Sequence, residues 1–141
     1  MTPHARPVLR LAAAAVGLIA ASCSGGSGKL YPVTGQVFYL DKPAEGALVV
    51  FQPINAGPDA PMPTGKVGAD GSFKLSTLDR GEGAPAGDYI VLVTWFPPDA
   101  REQNNPRNQL PERFGSPTDS PLRATVNKGP TELEPFRLTK K

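Results

Sequence analysis

The sequence predicts an all-β chain that folds as a seven-stranded β-sandwich behind an N-terminal export signal. Three observations support this fold class. Apolar and polar residues alternate in six short segments, which is typical of strands with one buried face. Helical spacing of apolar residues is absent after residue 22, and glycine, proline and aspartate separate the segments. Removal of 22 residues leaves 119 of the 141, enough for one domain.

Residues 1–22 have the composition of a bacterial signal peptide. Arg6 and Arg10 are the charged residues of this segment, and residues 11–21 form an uncharged run rich in alanine. This run is shorter than the roughly 20 apolar residues that a membrane-spanning helix needs. It has the length of the apolar region of an export signal. We therefore predict that residues 1–22 are removed during export.

The end of the signal resembles the lipobox of bacterial lipoproteins. Ile19 and the small residues 20–22 directly precede Cys23, the only cysteine of the chain. The resemblance implies that the Cys23 thiol receives a diacylglycerol before cleavage, so that acyl chains such as palmitate anchor the mature protein to a membrane. The alternative is an ordinary secretory signal followed by an incidental cysteine.

Residues 23–30 are predicted to be a flexible, lipidated tether. Residues 24–28 consist of serine and glycine only, a composition typical of flexible linkers. Residue 24 is a serine. In double-membrane bacteria an aspartate at this place favours retention in the inner membrane, and resemblance to that rule implies an outer-membrane lipoprotein facing the periplasm or the exterior. The inner membrane stays open as the alternative.

The predicted mature chain carries no excess of either charge. The whole chain has 15 basic and 13 acidic side chains, and Arg6 and Arg10 leave with the signal. Proteins that bind nucleic acid concentrate positive charge to neutralise phosphates. Nucleic acid is therefore not expected as a partner.

The predicted strands follow one another through residues 31–141, with turn-forming residues between them. The strongest turn signal is Asp70-Gly71, which predicts a type I′ turn that pairs residues 66–69 with residues 72–77 as a hairpin. The predicted inward-facing sets, in chain order, are Val33, Val37 and Tyr39; Ala47, Val49 and Phe51; Phe73 and Leu75; Tyr89, Val91, Val93 and Trp95; Leu122, Ala124 and Val126; and Phe136 and Leu138.

Several of these segments resemble the carboxypeptidase regulatory-like domain. The segments that carry the resemblance are residues 33–37, 46–51, 69–73, 86–91 and 110–122. The family implies a transthyretin-like (prealbumin-like) Greek-key β-sandwich with an accessory role in the bacterial cell envelope, and it supplies no active site. Hydroxyisourate hydrolase, an enzyme of the wider transthyretin-like group, depends on histidines. The only histidine here is His4, within the predicted signal.

The predicted mature domain is poorly equipped for catalysis. It has no imidazole and no thiol other than that of Cys23, which excludes the nucleophile–histidine–acid mechanism. Zinc sites are built mainly from the same two types of side chain, so no zinc site is expected. Three other kinds of site stay formally possible: a Ser–Lys pair, an oxygen-ligated calcium site at Asp70 or at residues 79–82, and a carboxylate pair at Glu132 and Glu134. Solvated turns and exposed strand faces are the favoured interpretation of all these residues. We predict a protein that is not an enzyme and has no cofactor.

Trp95 and Phe96 form the first candidate surface. They end residues 89–96, the most apolar predicted strand, where aromatic rings could stack on a glycan. For Trp95 packing into the core is the favoured interpretation, because tryptophan is usually largely buried.

A second candidate surface has the opposite strand parity and is also apolar. It includes Leu48, Val50, Ile90 and Leu92, although a sheet face that meets water should be polar. Residues 97–121 contain six prolines and form an unusually long loop. We expect Leu110 and Phe114 to hold this loop across part of the face and to leave a patch for a partner.

The predicted function is that of a structural or protein-interaction module anchored in the cell envelope. Two alternatives stay open at the level of the sequence: a module that binds a glycan or small ligand, and an accessory subunit of an envelope enzyme. The partners considered are therefore the membrane, through the lipid on Cys23, and an envelope protein or glycan.

Overall fold

A computed structural model describes residues 29–96, 99, 102, 104 and 106–141. The predicted signal peptide, the lipidation at Cys23 and residues 23–28 of the tether lie outside these residues. Lys29 is exposed, and Leu30 already belongs to the first strand. The folded part therefore begins one residue before the predicted start at residue 31.

The described part of the chain is all-β, which confirms the predicted class. The predicted count of seven strands is wrong: the described residues contain thirteen, because turns and bends divide the predicted strands into shorter ones. The only helical element in this part of the chain is a four-residue 3-10 helix at Glu112–Gly115. The strands are β1 (Leu30–Tyr31), β2 (Val33–Tyr39), β3 (Lys42–Pro43), β4 (Leu48–Pro53), β5 (Thr64–Lys66), β6 (Ser72–Lys74), β7 (Ser76–Thr77), β8 (Gly81–Glu82), β9 (Ala84–Pro85), β10 (Gly87–Thr94), β11 (Arg123–Val126), β12 (Thr131–Glu132) and β13 (Phe136–Leu138).

The strands form two main sheets and one small ribbon. The larger sheet has six strands in the order β11-β10-β4-β5-β7-β8, and all its neighbours are antiparallel. The second sheet has five strands arranged around β2, which pairs antiparallel with β3 and β6 and parallel with β12 and β13. The ribbon joins β1 to β9. Side chains from both main sheets contribute to one hydrophobic cluster.

The core lies where strand alternation predicts it. Val91 pairs with Phe51 across β10 and β4, and both side chains are fully buried. The Phe51 ring lies 5.5 Å from Tyr89 and 6.4 Å from Phe73, which belongs to the second sheet. Every predicted inward-facing residue is either buried or half-buried against this cluster. The sequence pattern thus predicts correctly which side of each strand is buried.

The turn at Asp70-Gly71 differs from its prediction. Gly71 N donates to Gly68 O, and Gly68 N donates to Ser72 O. Gly71 has a φ of +86°, whereas the φ of Asp70 is not positive. This is a type I turn followed by a left-handed glycine, so the predicted type I′ turn is wrong. The Asp70 carboxylate explains the difference, because it accepts hydrogen bonds from the backbone N and the hydroxyl of Ser72, and these bonds lower its pKa.

The predicted hairpin around this turn is present, with its first arm beginning at Thr64. Thr64 pairs with Ser76, and Gly68 N donates to Ser72 O, which is one antiparallel register. Within the second arm, β6 also pairs with β2 of the second sheet. The hairpin therefore links the two main sheets.

The described part of the loop at residues 97–121 follows the edge of β10, beyond the point where β11 pairs with it. Gln109 N donates to Trp95 O at 2.7 Å, and the Ser120 hydroxyl donates to Val91 O at 2.7 Å. Val91 N in turn donates to Leu122 O. The loop thus occupies backbone groups that β11 does not reach, which is a common way to cover a strand edge.

The two apolar residues of this loop are not held where we expected them. Leu110 and Phe114 are buried, and both belong to the same hydrophobic cluster as the inward-facing strand residues. The expectation that they cover part of the opposite sheet face is therefore wrong. The physical reason is that an aromatic and an aliphatic side chain gain more from complete burial at the open edge of the core than from lying on a surface.

Candidate functional site

The larger sheet presents an apolar surface on the side away from the core. We call Leu48, Val50, Ile90 and Leu92 the outer face. Leu92 lies directly opposite Val50 on the neighbouring strand, so the four side chains are contiguous across β4 and β10. Leu48 is 45% exposed and the other three are half-buried. The predicted second apolar surface is thus present and partly accessible to solvent.

Polar residues surround the outer face. On β10 and β4, Thr94 lies opposite Leu48 and Gln52 lies opposite Ile90. The flanking strands contribute Thr64 and Lys66 on one side and Arg123 on the other. An apolar centre with a polar, partly basic rim is the usual composition of a protein-binding surface.

Trp95 lies at the rim of the core and is held there by hydrogen bonds. Its indole N–H donates to Glu45 O at 2.8 Å, and its backbone N donates to Asn108 Oδ1 at 2.8 Å. The ring meets Tyr39 edge-on, with 6.3 Å between centroids, and packs against the core while staying half-exposed. Phe96, the next residue, is 43% exposed. Of the two predicted aromatic residues, Phe96 is thus the more accessible.

A cleft at the opposite end of the sheets was not predicted from the sequence. We call it the end cleft; its volume is about 440 Å³, within the range of about 300–1,000 Å³ typical of small-molecule sites. Its walls come from five separate stretches of the chain, and no local motif links them. The lining residues are Lys29, Tyr31, Pro53, Ile54, Ala56, Ala60, Pro61, Pro85, Ala86, Gly87, Asp88, Tyr89 and Lys128.

The end cleft contains charges of both signs. Lys29 and Lys128 contribute ammonium groups, and Asp88 contributes a carboxylate. The Asp88 Oδ1 atom accepts a hydrogen bond of 2.7 Å from the Thr125 hydroxyl. Lys29 Nζ lies 5.8 Å from the centre of the Tyr31 ring. Within the described residues, neither lysine forms an ion pair with Asp88, so both signs remain available to a ligand.

Tyr89 connects the end cleft to the core. It is 3% exposed, and its hydroxyl donates a hydrogen bond of 2.6 Å to Pro85 O on the cleft wall. Burial raises the pKa of the Tyr89 phenol, because the charged phenolate would lose solvation. The phenol therefore stays protonated and keeps donating to the wall through the neutral pH range.

The described residues were also compared with the requirements of a metal site and of a membrane-spanning helix. Among them no group of three or more histidine, cysteine, aspartate or glutamate side chains is placed to hold a metal ion. No helix in the same part of the chain is long and apolar enough to span a bilayer. The two features with the geometry of a site are thus the outer face and the end cleft.

Comparisons with protein families, with curated proteins and with solved structures find no match to this chain.

Proposed function

We propose that this protein is a membrane-tethered, non-catalytic module of the bacterial cell envelope that binds a partner protein through its outer face. In this proposal Cys23 carries the lipid, residues 24–28 are the tether, and the two main sheets form a Greek-key, transthyretin-like sandwich. The observation that carries the proposal is the contiguous apolar outer face, on which Leu48 is 45% exposed.

The composition of the outer face favours a protein partner. A sheet that faces water normally alternates to polar residues, yet here four aliphatic side chains occupy the centre of two adjacent strands. Contiguous exposed apolar patches with a polar rim are typical of interaction sites. The loop at residues 97–121 buries Leu110 and Phe114 in the core, and Leu48 stays open. These features support a flat, aliphatic interface.

The rim of the outer face favours a partner with acidic residues around an apolar centre. Lys66 and Arg123 flank the outer face on opposite sides, on β5 and β11. Charges at a rim contribute mainly to the rate of encounter and to orientation, whereas the apolar centre supplies most of the affinity. An accessory subunit of an envelope enzyme is one form that such a complex would take.

Glycan binding at Trp95 and Phe96 receives less support. The exposed Phe96 ring favours it. The Trp95 indole N–H, however, already donates to Glu45 O, and a second aromatic ring, that of Tyr39, meets the indole edge-on. A sugar-binding tryptophan usually presents an open ring face with polar groups beside it.

Leu48→Gln is the substitution that tests the outer face. We expect it to lower the yield of the crosslinked partner at least about fivefold, because it places an unpaired amide in an apolar interface, at a cost of about 1–3 kcal/mol. The measurement is crosslinking in intact cells, followed by purification and quantitative mass spectrometry of the stoichiometric partner. The melting temperature should barely change, since Leu48 is largely exposed.

The matched control is Leu78→Gln. Leu78 is 86% exposed between β7 and β8 and lies outside the outer face, so its replacement should leave the yield of the partner unchanged. Equal yields from Leu48→Gln and the unaltered protein would contradict the proposal, as would an equal loss in both variants.

A further inference from the structure

The end cleft has a chemical character that differs from that of the outer face. Its two lysines and one aspartate are accompanied by prolines and alanines, with one isoleucine and two tyrosine rings. We propose that the end cleft binds the head group of a phospholipid that carries both a phosphate and a primary ammonium, as in phosphatidylethanolamine. The assignment of the ligand to a membrane lipid rests on the proposed tether, and the chemical class of the ligand is inferred from the residues that line the end cleft.

The charges of the end cleft match a zwitterion better than a simple anion. A phosphodiester carries one negative charge, which the ammonium groups of Lys29 and Lys128 complement. Asp88 would repel that phosphate, but its carboxylate accepts hydrogen bonds from a ligand ammonium. Only the Oδ1 atom is bonded to Thr125, and a carboxylate accepts several hydrogen bonds. A ligand with one phosphate and one ammonium group thus satisfies all three side chains.

The backbone around Lys128 and Asp88 is held by hydrogen bonds and strand pairing, not by an ion pair between the two side chains. Lys128 lies in the connection between β11 and β12, where Gly129 N donates to Asn127 O and Asn127 N donates to the Thr131 hydroxyl. Asp88 lies on β10 opposite Thr125 of β11. Both charges therefore have fixed backbone positions before a ligand arrives, which reduces the entropic cost of binding.

The apolar walls fit the part of a phospholipid next to its head group. Pro53, Ile54, Pro61, Pro85 and Ala86 contribute apolar surface to the lining of the end cleft. These side chains cannot donate hydrogen bonds, so they suit the glycerol carbons rather than a sugar ring. The volume of about 440 Å³ admits a head group with its glycerol but leaves no room for two acyl chains, which would stay in the membrane.

The end cleft lies at the end of the domain that the tether reaches. Lys29 lines the cleft and is six residues after Cys23. An extended chain of this length spans at most about 20 Å, at roughly 3.3–3.6 Å per residue. With Cys23 acylated, the cleft is therefore held close to the lipid head groups, where their local concentration is high.

The test measures binding of soluble head groups to the purified full chain by titration calorimetry. Glycerophosphoethanolamine is expected to bind at least about fivefold more tightly than glycerophosphocholine, whose quaternary ammonium has no N–H to donate to Asp88. Inorganic phosphate should bind more weakly than either. Lys128→Gln should lower the affinity for both glycerophospho compounds about five- to tenfold. Lys74→Gln, at an exposed lysine on β6 outside the end cleft, is the control and should leave both affinities unchanged.

Asp88→Asn separates a zwitterion site from an anion site. The asparagine keeps an oxygen that can accept the hydrogen bond from the Thr125 hydroxyl. The substitution should lower the affinity for glycerophosphoethanolamine at least about fivefold and change the affinity for glycerophosphocholine by less than about twofold. Equal affinities of the unaltered protein for the two compounds, a Lys128→Gln variant that binds normally, or tighter binding to Asp88→Asn would overturn the proposal.

A second arm identifies the source of the ligand. The native protein is placed in phosphatidylcholine vesicles with or without phosphatidylethanolamine, and amide hydrogen exchange at residues 86–88 is followed. Slower exchange with phosphatidylethanolamine is expected. Binding of the soluble compound without this protection would overturn the assignment to a membrane lipid. The soluble arm does not depend on the anchor or on the outer face, so its outcome is separate from that of the proposed function.

Discussion

Phe51→Ala is expected to lower the free energy of unfolding by about 3–5 kcal/mol, the range observed for buried phenylalanines. Phe51 is fully buried in β4, and its ring lies between Phe73 of the second sheet and Tyr89 of β10. Its removal deletes one of the aromatic contacts between the two main sheets and leaves a cavity in the core. The measurement is urea denaturation at equilibrium, with the slope of the transition compared between variants.

Phe96→Ala is the matched control, because it removes the same atoms from a side chain that is 43% exposed. We expect a loss below about 1 kcal/mol. Similar losses for the two variants would show that Phe51 does not occupy the centre of the core, and the arrangement of the two sheets would then be wrong.

Gly83→Ala is expected to destabilise the protein by about 2–4 kcal/mol, through backbone strain and a steric clash. Gly83 has a φ of +102°, which side chains other than that of glycine rarely adopt. A Cβ atom there would lie 2.5 Å from the backbone oxygen of Tyr31. Relief of that clash requires β1 to move away from β9, which also displaces Tyr31 from the wall of the end cleft. Thermal unfolding followed by circular dichroism measures the loss.

Gly57→Ala is the control for this substitution. Gly57 has an ordinary φ, and a Cβ atom there would contact nothing within 4 Å. Its replacement should change the stability by less than about 1 kcal/mol, with a small gain from the stiffer unfolded chain. A Gly83→Ala variant as stable as Gly57→Ala would contradict the close approach of β1 and the segment before β9.

Strand alternation allowed the buried side of the chain to be predicted from the sequence. A period of two divides each strand into two faces, and the aromatic residue Phe51 indicates that its face, with Val49, is the buried one; Leu48 and Val50 then lie on the outer side, as observed. The outer face followed from the same parity. This part of the candidate site depends on local pattern alone, which is why it was predictable.

Pairing between strands was harder to predict because it depends on distant segments. The turn at residues 68–72 closes a local hairpin, but the additional pairing of β6 with β2 has no signal in the local sequence. The parallel pairing of β12 and β13 with β2 has no counterpart in a local pattern. The position of Phe114 also depended on the gap that β11 leaves at the edge of β10, a gap that is visible only in the assembled sheet.

The end cleft could not be predicted for the same reason. Lys29 and Lys128 are 99 positions apart in the chain, and Asp88 lies between them in a turn-rich segment. The local sequence around each of these residues is typical of a solvated turn. The pairing of β1 with β9 places Lys29 near the start of β10, and the pairing of β11 with β10 places Lys128 there beside Asp88.

The measurement that tests the central proposal most directly is the mass of the N-terminal peptide of the native protein isolated from membranes. We predict a mature chain that begins at Cys23, with its sulfur carrying a diacylglyceryl group. A native protein that retains residues 1–22, or a Cys23 with a free thiol, would contradict a domain that works at the membrane surface.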